Sequence, residues 1–251
     1  MDETKNTPAL ILNRQDYKEN DSLVTVYTPC FGKLTLVARG TKKLSSKLAG
    51  HIEPLTLADL LIIRGKGFDY IGSAITRAAY LGIREDLNKL YYAGRAINLF
   101  NRLTKENQSD EHLFFLLVTW LEILNDFCLF TRECGELVLA FFTIKFLAEL
   151  GYQPEMYRCL GCSSSISPGL NYFNLLNGGL VCAGCFEKNR LAGGGGGGAF
   201  RTELLTISDN CIKLMRFMVD NRFKSAEKLK INNKTLKEFS GLLDKFILFH
   251  F

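Results

Sequence analysis

The sequence predicts an α+β protein of several domains: a small N-terminal β-barrel, an α-helical bundle and an inserted four-cysteine zinc finger. Three observations lead to this prediction. Apolar and polar residues alternate with the period of a strand up to about residue 80, the period becomes helical from Gly82, and two Cys-x-x-Cys pairs follow the helices. With 251 residues, 47% of them hydrophobic, the chain can bury a substantial core.

The first eighty residues contain five short strand patterns separated by turn signals. The predicted strands are residues 9–12, 22–28, 33–38, 57–64 and 70–77. Pro29 to Gly32 and Gly65 to Gly67 supply two tight connections. Five strands in about seventy residues favour a small closed barrel over a sandwich, and a barrel of this length is typical of an OB-fold, which commonly binds oligonucleotides.

Three helices are predicted after the barrel. The first carries an apolar face formed by Leu87, Leu90, Tyr91, Gly94, Ile97, Leu99 and Phe100. The second opens after Ser109, and the third spans residues 131–150 and ends at Gly151. Aromatic residues at helical spacing most often belong to the core, so we expect burial of eight of them: Phe114, Phe115, Trp120, Phe127, Phe130, Phe141, Phe142 and Phe146.

Four cysteines form the most specific motif of the chain. Cys159 and Cys162 are followed, after 19 intervening residues, by Cys182 and Cys185. Two such pairs can direct four thiolates at one tetrahedral ion, which predicts one structural Zn²⁺. Gly161, Gly184 and the Gly178-Gly179 pair are expected to supply positive φ angles for the turns. Two disulfides are the alternative, which a reducing compartment disfavours.

The rest of the chain returns to helical patterns. Residues 208–217, 225–229 and 235–249 are amphipathic and are expected to rejoin the central bundle. Six consecutive glycines, residues 193–198, precede them and carry no functional conclusion. The predicted domains are therefore residues 1–80 (barrel), 81–158 (first helices), 159–190 (zinc finger) and 191–251 (glycine linker and last helices).

Charge is distributed unevenly along the chain, whose formal net charge is +5. Residues 1–80 hold 11 basic and 8 acidic side chains (+3), residues 81–155 hold 7 and 11 (−4), and residues 156–251 hold 13 and 7 (+6). Basic segments on both sides of an acidic middle favour a polyanion-binding surface with a separate face for other partners.

A cluster of cations follows the third predicted strand. Arg39, Lys42, Lys43 and Lys47 lie on this connection, with Arg14 and Lys33 on neighbouring strands or turns. Such a loop beside a barrel mouth could neutralise several phosphates, although an ordinary solvated loop is the alternative. Four aromatic residues could stack on bases, but alternate strand positions must fill the barrel, so at least half of them are expected in the core. They are Tyr27, Phe31, Phe68 and Tyr70.

Several classes of protein are disfavoured. The three histidines lie outside any recognised nucleophile motif, and neither Gly-rich phosphate-loop motif occurs between a strand and a helix. Four sulfur ligands would leave zinc no open position, so we predict no enzyme. The apolar runs are too short and too often charged to span a bilayer, and residues 1–8 do not resemble a signal peptide, which predicts a cytoplasmic protein.

Ordered sequence pieces resemble the bacterial DNA repair protein family RecO. The resemblance covers most of residues 8–186. It rests on residues 19–29, Phe31 to Leu34, Val37 to Gly40, Ser46 to Gly50, residues 53–64, Glu149 to Pro154, and Gly178 to Cys182 before Cys185. It implies an OB-fold, a helical domain and a zinc finger in a protein that binds single- and double-stranded DNA, anneals complementary strands and has no catalytic turnover.

The resemblance also implies partners and site residues. RecO-like proteins pair with RecR, engage the C-terminal tail of single-stranded DNA-binding protein and help RecA load on DNA, which implies a nucleoid-associated protein of the bacterial cytoplasm. Arg14, Lys33, Arg39, Lys42, Lys43 and Lys47 match the basic barrel surface of the family, and the four cysteines match its metal positions. Asn13 and Gln15 stand where relatives often carry arginine, so we expect that edge to bind DNA less strongly.

Three other functions remain open from the residues alone. An RNA-binding zinc-ribbon protein of the translation apparatus would also combine a barrel and a knuckle. A scaffold could use the acidic helical middle to recruit partner proteins, with DNA contact incidental. A metalloenzyme would require zinc with a displaceable water, contrary to four sulfur ligands.

Overall fold

The computed structural model describes residues 4–127, 130–192 and 204–251, and the chain divides into two compact units, residues 1–130 and 131–251. The first unit contains the predicted barrel and three helices. The second contains further helices, a small sheet and the four-cysteine cluster. The predicted α+β class is confirmed. The predicted glycine run lies outside the described residues.

Five strands close the barrel of the first unit. They are β1 (Thr4–Tyr17), β2 (Asp21–Thr28), β3 (Gly32–Ala38), β4 (Leu57–Ile63) and β5 (Tyr70–Ala78). Their order around the barrel is β1-β2-β3-β5-β4. The β3–β5 pair is parallel and the other pairs are antiparallel. This five-stranded closed barrel confirms the predicted OB-fold.

Strand β1 is much longer than predicted because it has two successive partners. Thr4 to Leu10 pair with β4, and Leu10 to Tyr17 pair with β2 across a bulge near Ile11. Its first residues are mostly polar and show no strand alternation. Their strand conformation comes from pairing with β4, a contact distant in sequence.

Small and branched apolar residues fill the barrel. The core consists of Ala9, Ile11, Val24, Val26, Leu36, Ala38, Ile52, Ala58, Leu60, Ile62, Ile71 and Ala74. Buried positions alternate with more exposed ones along β4, as expected for a sheet with one face inside. The interior is therefore packed, and any ligand must bind on the outer surface or at the barrel ends.

Three helices complete the first unit: α1 (Leu81–Arg84), α2 (Leu87–Leu103) and α3 (Glu111–Asp126). The side chain of Asp86 caps α2, and that of Asp110 caps α3 by accepting from the backbone N–H of Leu113. The ring of Tyr27 on β2 meets that of Phe100 on α2 edge-on, with centroids 4.8 Å apart. The helices therefore pack on the barrel wall.

The predicted buried face of α2 is wrong in its first turns. Leu87, Leu90 and Tyr91 are exposed, whereas Lys89 is buried. The Nζ atom of Lys89 donates to the carbonyl oxygens of Asn125 (2.9 Å) and Phe127 (2.6 Å) at the end of α3. These bonds provide the hydrogen-bond partners that a buried ammonium group needs. The face of α2 that carries Lys89 therefore points inward.

The predicted aromatic core is confirmed only in part. Five of the eight residues are buried: Phe114, Trp120, Phe141, Phe142 and Phe146. Phe127 and Phe130 are half-buried. Phe115 is exposed, so its prediction is wrong. It follows Phe114 directly and therefore points to a different side of α3.

The second unit surrounds a long apolar helix. Its helices are α4 (Arg132–Glu149), α5 (Ala183–Ala192), α6 (Asp209–Asp220) and α7 (Asn233–His250), with a 3-10 segment at Phe223–Lys228. Helix α4 packs against α6 and α7, so the last helices form a bundle with the third predicted helix. Strands β6 (Asn171–Asn174), β7 (Gly179–Cys182) and β8 (Leu204–Ile207) form a sheet in the order β7-β6-β8.

Strand β8 was not predicted, since a four-residue apolar run does not distinguish a strand from a helix turn. Within the residues that the structure describes, none of the helices combines the length and hydrophobicity needed to cross a bilayer.

Candidate nucleic-acid interface and metal centre

Three loops meet at one end of the barrel. They are residues 17–20, from the end of β1 to the start of β2, residues 39–47 after β3, and residues 64–70, from the end of β4 to the first residue of β5. We call them together the mouth surface. The N–H of Lys42 donates to the carbonyl oxygen of Asn20 at 3.2 Å, and that of Val37 donates to Asp69 at 2.9 Å. The fold therefore assembles one surface from three separate sequence segments.

Arg39 and Lys43 line a cleft on the mouth surface. The cleft has a volume of about 450 Å³ and is lined by Lys18, Glu19, Asn20, Asp21, Arg39, Gly40 and Lys43. The guanidinium carbon of Arg39 lies 4.2 Å from the centroid of the Tyr70 ring. Asp21 accepts a hydrogen bond from the Gly40 N–H at 2.9 Å, which fixes the start of the loop at residues 39–47, called the basic loop below.

The lysines of the basic loop differ in their surroundings. The Nζ atom of Lys42 lies 3.2 Å from Asp16 Oδ2 and donates to the Lys18 carbonyl oxygen at 3.3 Å. Lys43 and Lys47 are exposed, and neither forms an ion pair with another residue of the described ranges. Their ammonium groups are the better placed for an external anion.

Arg14 has partners on three sides beneath the basic loop. Its guanidinium pairs with the Glu53 carboxylate and donates to the hydroxyl of Ser22 and the carbonyl oxygen of Ala49, each at 3.2 Å. A further, longer contact reaches the carbonyl oxygen of Thr41. The Arg14 side chain is 18% exposed. It therefore holds the loop against the barrel and offers little free surface.

Lys33 lies at the other end of the barrel. It starts β3, whereas Arg39 follows the end of that strand. Its Nζ atom donates to the carbonyl oxygens of Asn101 (2.7 Å) and Thr104 (2.5 Å) at the end of α2. Burial lowers the pKa of Lys33, an effect that the nearby Glu106 opposes. The structure thus brings four of the six predicted cations to one loop, with Arg14 below it and Lys33 apart.

The four aromatic residues that could stack on bases also lie in different parts of the barrel. Tyr27 is buried and belongs to the core, as expected for part of the set. Phe31 is half-buried in the β2–β3 turn with Lys5 Nζ 4.6 Å from its ring centroid. Phe68 is 47% exposed on the mouth surface, and Tyr70 lies there beneath Arg39.

Sequence reasoning missed Tyr17 and Lys18 of the mouth surface. The Tyr17 and Phe68 ring centroids are 6.1 Å apart, and Lys18 Nζ lies 5.2 Å from the Tyr17 ring centroid. A lysine beside an aromatic at a strand end is a weak signal alone. It becomes informative only when the turn is known to adjoin the basic loop.

The four predicted metal ligands converge in the second unit. The sulfur atoms of Cys159, Cys162, Cys182 and Cys185 all lie within 4.8 Å of one another, and all four are free thiols. A tetrahedral zinc site with bonds of about 2.3 Å places its sulfurs about 3.8 Å apart. The Cys162 and Cys182 sulfurs, 3.9 Å apart, already meet that spacing. The cluster could hold a metal ion and fits four-thiolate coordination.

Backbone donors stabilise negative charge on this cluster. Cys159 Sγ accepts from the N–H groups of Cys182 (3.3 Å) and Gly161 (3.4 Å). Burial opposes ionisation of Cys159, but such backbone bonds outweigh it and lower its pKa. Hydrogen bonds with Ser164 lower the pKa of Cys162 to about 6, whereas a hydrogen bond with Cys162 raises the pKa of Cys185 to about 12. Cys159 and Cys162 therefore lose their protons more easily than Cys185, because ionisation of one thiol disfavours ionisation of a close neighbour.

The expected role of the glycines needs correction. Gly178 has φ +60, as predicted, but Gly161, Gly179 and Gly184 lie outside the positive-φ region, and Ser163 adopts φ 58 instead. Gly161 is needed for space, because a Cβ there would lie 3.0 Å from Cys185 Sγ. Gly184 lies in α5, where a Cβ would meet nothing within 4 Å.

Comparison with known proteins covers both units. A family model described as the recombination protein O N terminal matches residues 1–80, and one described as the recombination protein O C terminal matches residues 84–251. A DNA repair protein RecO of Dehalococcoides mccartyi strain BAV1 is 31% identical over 92% of this chain and 85% of its own. That of Roseiflexus sp. strain RS-1 is 30% identical over 98% and 81%. That of Alkaliphilus metalliredigens strain QYMF is 24% identical over 97% and 92%.

Proposed function

This chain belongs to the RecO family of DNA repair proteins, and from that premise we propose that it is a recombination mediator that binds single- and double-stranded DNA and anneals complementary strands. The observation that carries the proposal is the mouth surface. Two of its loops bring Lys18, Arg39, Lys42, Lys43 and Lys47 to one end of an OB-fold barrel. OB-folds bind oligonucleotides with the loops that join strands 1 and 2 and strands 4 and 5, which are two of the three loops of the mouth surface.

The proposed mechanism is electrostatic. Arg39, Lys43 and Lys47 contact the phosphates of one strand directly, and Lys42 joins them when DNA competes with Asp16 for its ammonium. Arg14 supports the loop through its contact with the Thr41 carbonyl oxygen and through Ser22, whose hydroxyl lies 2.8 Å from that of Thr41. Residues 156–251, with a formal charge of +6, lower the repulsion against a second strand. Complementary strands then meet on one protein and pair.

Lys33 contributes differently in this proposal. Its ammonium already donates to two backbone carbonyls, so its effect on DNA is a long-range positive charge at the far end of the barrel. The main DNA path in this proposal therefore crosses the mouth surface and not the end of the barrel at Lys33.

We propose Zn²⁺ as the ion of the four-cysteine cluster, with Cys159, Cys162, Cys182 and Cys185 as its ligands. Four thiolates are soft donors that suit zinc, and they fill a tetrahedral shell. When bound, the ion would cross-link the segment of Cys159 and Cys162 to β7 and α5, which carry Cys182 and Cys185. Activation of a water molecule would require an open coordination position, which four sulfurs do not leave. In this proposal the protein acts by binding DNA, without catalytic turnover.

The proposal extends to partners and location. RecR would bind this protein, the C-terminal tail of single-stranded DNA-binding protein would recruit it to coated DNA, and RecA would benefit indirectly by loading on the exposed strand. We propose action at the nucleoid in the bacterial cytoplasm. We also propose that the four predicted domains, of which the first ends at residue 80, act as separate functional parts of the chain.

A strand-annealing assay tests this function. Two complementary oligonucleotides, one labelled with a donor and one with an acceptor dye, are mixed with the protein, with and without a coat of single-stranded DNA-binding protein. We expect accelerated annealing that requires the protein, and a large loss of rate in the double variant Lys42→Glu and Lys43→Glu. Equal rates for the double variant and the unchanged protein would refute the proposed surface. Tighter binding to RNA than to DNA of the same sequence would favour a translation role instead.

A further inference from the structure

The loop between β4 and β5 presents an aromatic ring to solvent in a fixed position. The Phe68 residue is 47% exposed there. The loop has defined geometry, since the N–H of Gly65 donates to Asp69 Oδ1 at 3.0 Å and the Asp69 carbonyl oxygen accepts from Val37 at 2.9 Å. A Cβ at Gly65 would lie 2.0 Å from the Phe68 carbonyl oxygen, so this turn depends on glycine.

A second ring from another loop stands beside Phe68. Tyr17 ends β1, and its ring meets the Phe68 ring at 6.1 Å between centroids and 69° between planes. This edge-to-face contact supports Phe68 from one side and leaves nearly half of it open to solvent. The pair forms a small apolar platform at the rim of a charged surface.

One cation contacts the platform, and others lie on the same loops. Lys18 Nζ lies 5.2 Å from the Tyr17 ring centroid. Arg39 covers Tyr70, two residues after Phe68, and itself is exposed. Lys66 is exposed in the same loop as Phe68. An aromatic face beside several cations matches the two parts of a nucleotide, a flat base and a phosphate.

We propose that Tyr17 and Phe68 form a base-stacking platform that selects unpaired nucleotides, so that the mouth surface prefers single-stranded over double-stranded DNA. The bases of a duplex are stacked on one another and offer no free face, whereas its phosphates remain available to Arg39 and Lys43. The platform thus adds to single-strand affinity alone. This inference rests on the proposed DNA-binding function of the same surface.

The test compares three DNAs by fluorescence anisotropy: a single-stranded oligonucleotide, the same backbone with abasic sites in place of the bases, and a duplex. Phe68→Leu keeps apolar bulk and removes the aromatic face. We expect it to lower affinity for the base-bearing single strand by roughly ten-fold, with no change for the abasic strand or the duplex. Phe31→Leu is the matched control, since Phe31 also lies near a lysine but in the β2–β3 turn at the opposite end. It should leave all three affinities unchanged.

A gain-of-signal variant covers a failure of Phe68→Leu to fold. Phe68→Trp retains the aromatic face and introduces a fluorophore, and the single native tryptophan, Trp120, is fully buried. Stacking on a base should quench the new emission with the single strand and leave it unchanged with the abasic strand and the duplex. Equal quenching by all three DNAs, or an unchanged single-strand affinity of Phe68→Leu, overturns the platform alone. Absence of binding to any DNA by the unchanged protein overturns the proposed function as well.

Discussion

The ammonium group of Lys33 donates to the carbonyl oxygen of Thr104 at 2.5 Å and so ties the start of β3 to the end of α2. A second bond, to the Asn101 carbonyl oxygen, satisfies another group that the helix end leaves unpaired. We predict that Lys33→Met destabilises the protein by about 1–2 kcal/mol, because it leaves both carbonyls without this donor and removes a cation from a helix C-terminus. Urea unfolding measures the change.

The matched control is Lys105→Met, which removes an exposed lysine of the same unit. It should change the free energy of unfolding by less than about 0.5 kcal/mol. A loss of DNA affinity in Lys33→Met that exceeds the loss in Lys43→Met, at unchanged stability, would contradict this structural role for Lys33.

A second prediction concerns the salt dependence of DNA binding. Lys43→Gln should reduce the slope of log affinity against log salt by about 0.7 on single strands, since a protein that neutralises one phosphate fewer releases fewer counterions on binding. Lys42→Gln should reduce it less, because the Lys42 ammonium already lies 3.2 Å from Asp16 Oδ2. Conversely, Asp16→Asn should steepen it. Equal slopes for Lys42→Gln and Lys43→Gln would show that Asp16 does not compete with DNA.

Sequence reasoning succeeds where the signals are local. The strands β2 to β5 were predicted within two residues at each end, because period-2 alternation and glycine turns are local signals. The helix starts after Ser109 and near Thr131 are also local signals, and in the structure the side chains of Asp110 and Thr131 cap these two helices. The four cysteines followed from their spacing alone.

What failed depends on contacts between distant segments. Lys33 was predicted on the basic barrel surface, and no sequence pattern marks Lys89 or Lys145 as a buried donor, yet each ammonium donates to a backbone carbonyl oxygen near the end of a helix. The outward turn of Leu87 and Tyr91 follows from the burial of Lys89. No local pattern distinguishes such a lysine from a solvated one, because its partner lies 36 or more residues away.

A third prediction concerns the metal ligands. Cys182→Ser should reduce bound zinc, because a hydroxyl replaces a thiolate, and lower the thermal unfolding midpoint of the second unit. Inductively coupled plasma mass spectrometry measures the metal, and calorimetry the midpoint. Cys211→Ser is a useful contrast, since Cys211 is buried and lies outside the cluster. It should affect stability without changing the zinc content. One full equivalent of zinc in Cys182→Ser would exclude this ligand set.

A fourth prediction concerns the space beside the four-cysteine cluster at Gly161. Gly161→Ala places a Cβ 3.0 Å from Cys185 Sγ, so the sulfur or the loop must shift and zinc affinity should fall. Gly184→Ala provides the control, because its Cβ meets nothing within 4 Å and alanine favours a helix. Competition with a chromogenic zinc chelator compares the two. Equal zinc affinities would mean that the segment around Gly161 can shift without weakening the metal site.

A fifth prediction concerns stability at alkaline pH. Burial, aided by the charge of Asp110, raises the pKa of Tyr27 to about 12. An unfolded tyrosine loses its proton near pH 10, so between about pH 10 and 12 the folded protein binds more protons than the unfolded chain. The contribution of Tyr27 to stability is therefore complete below about pH 10 and is lost as the pH rises toward 12. The Tyr27 hydroxyl contacts the Asp110 carbonyl oxygen only at 3.4 Å, so its removal alone should cost little at neutral pH.

Tyr27→Phe tests this directly. Burial also raises the pKa of Tyr80, which is retained in the variant, so the difference between the two proteins isolates Tyr27. The free energy of unfolding, measured in urea at several pH values, should decline less steeply above pH 10 in Tyr27→Phe than in the unchanged protein. Parallel declines would mean that the phenol ionises with equal ease in both states, and that the contact between the barrel and α2 at Phe100 admits water.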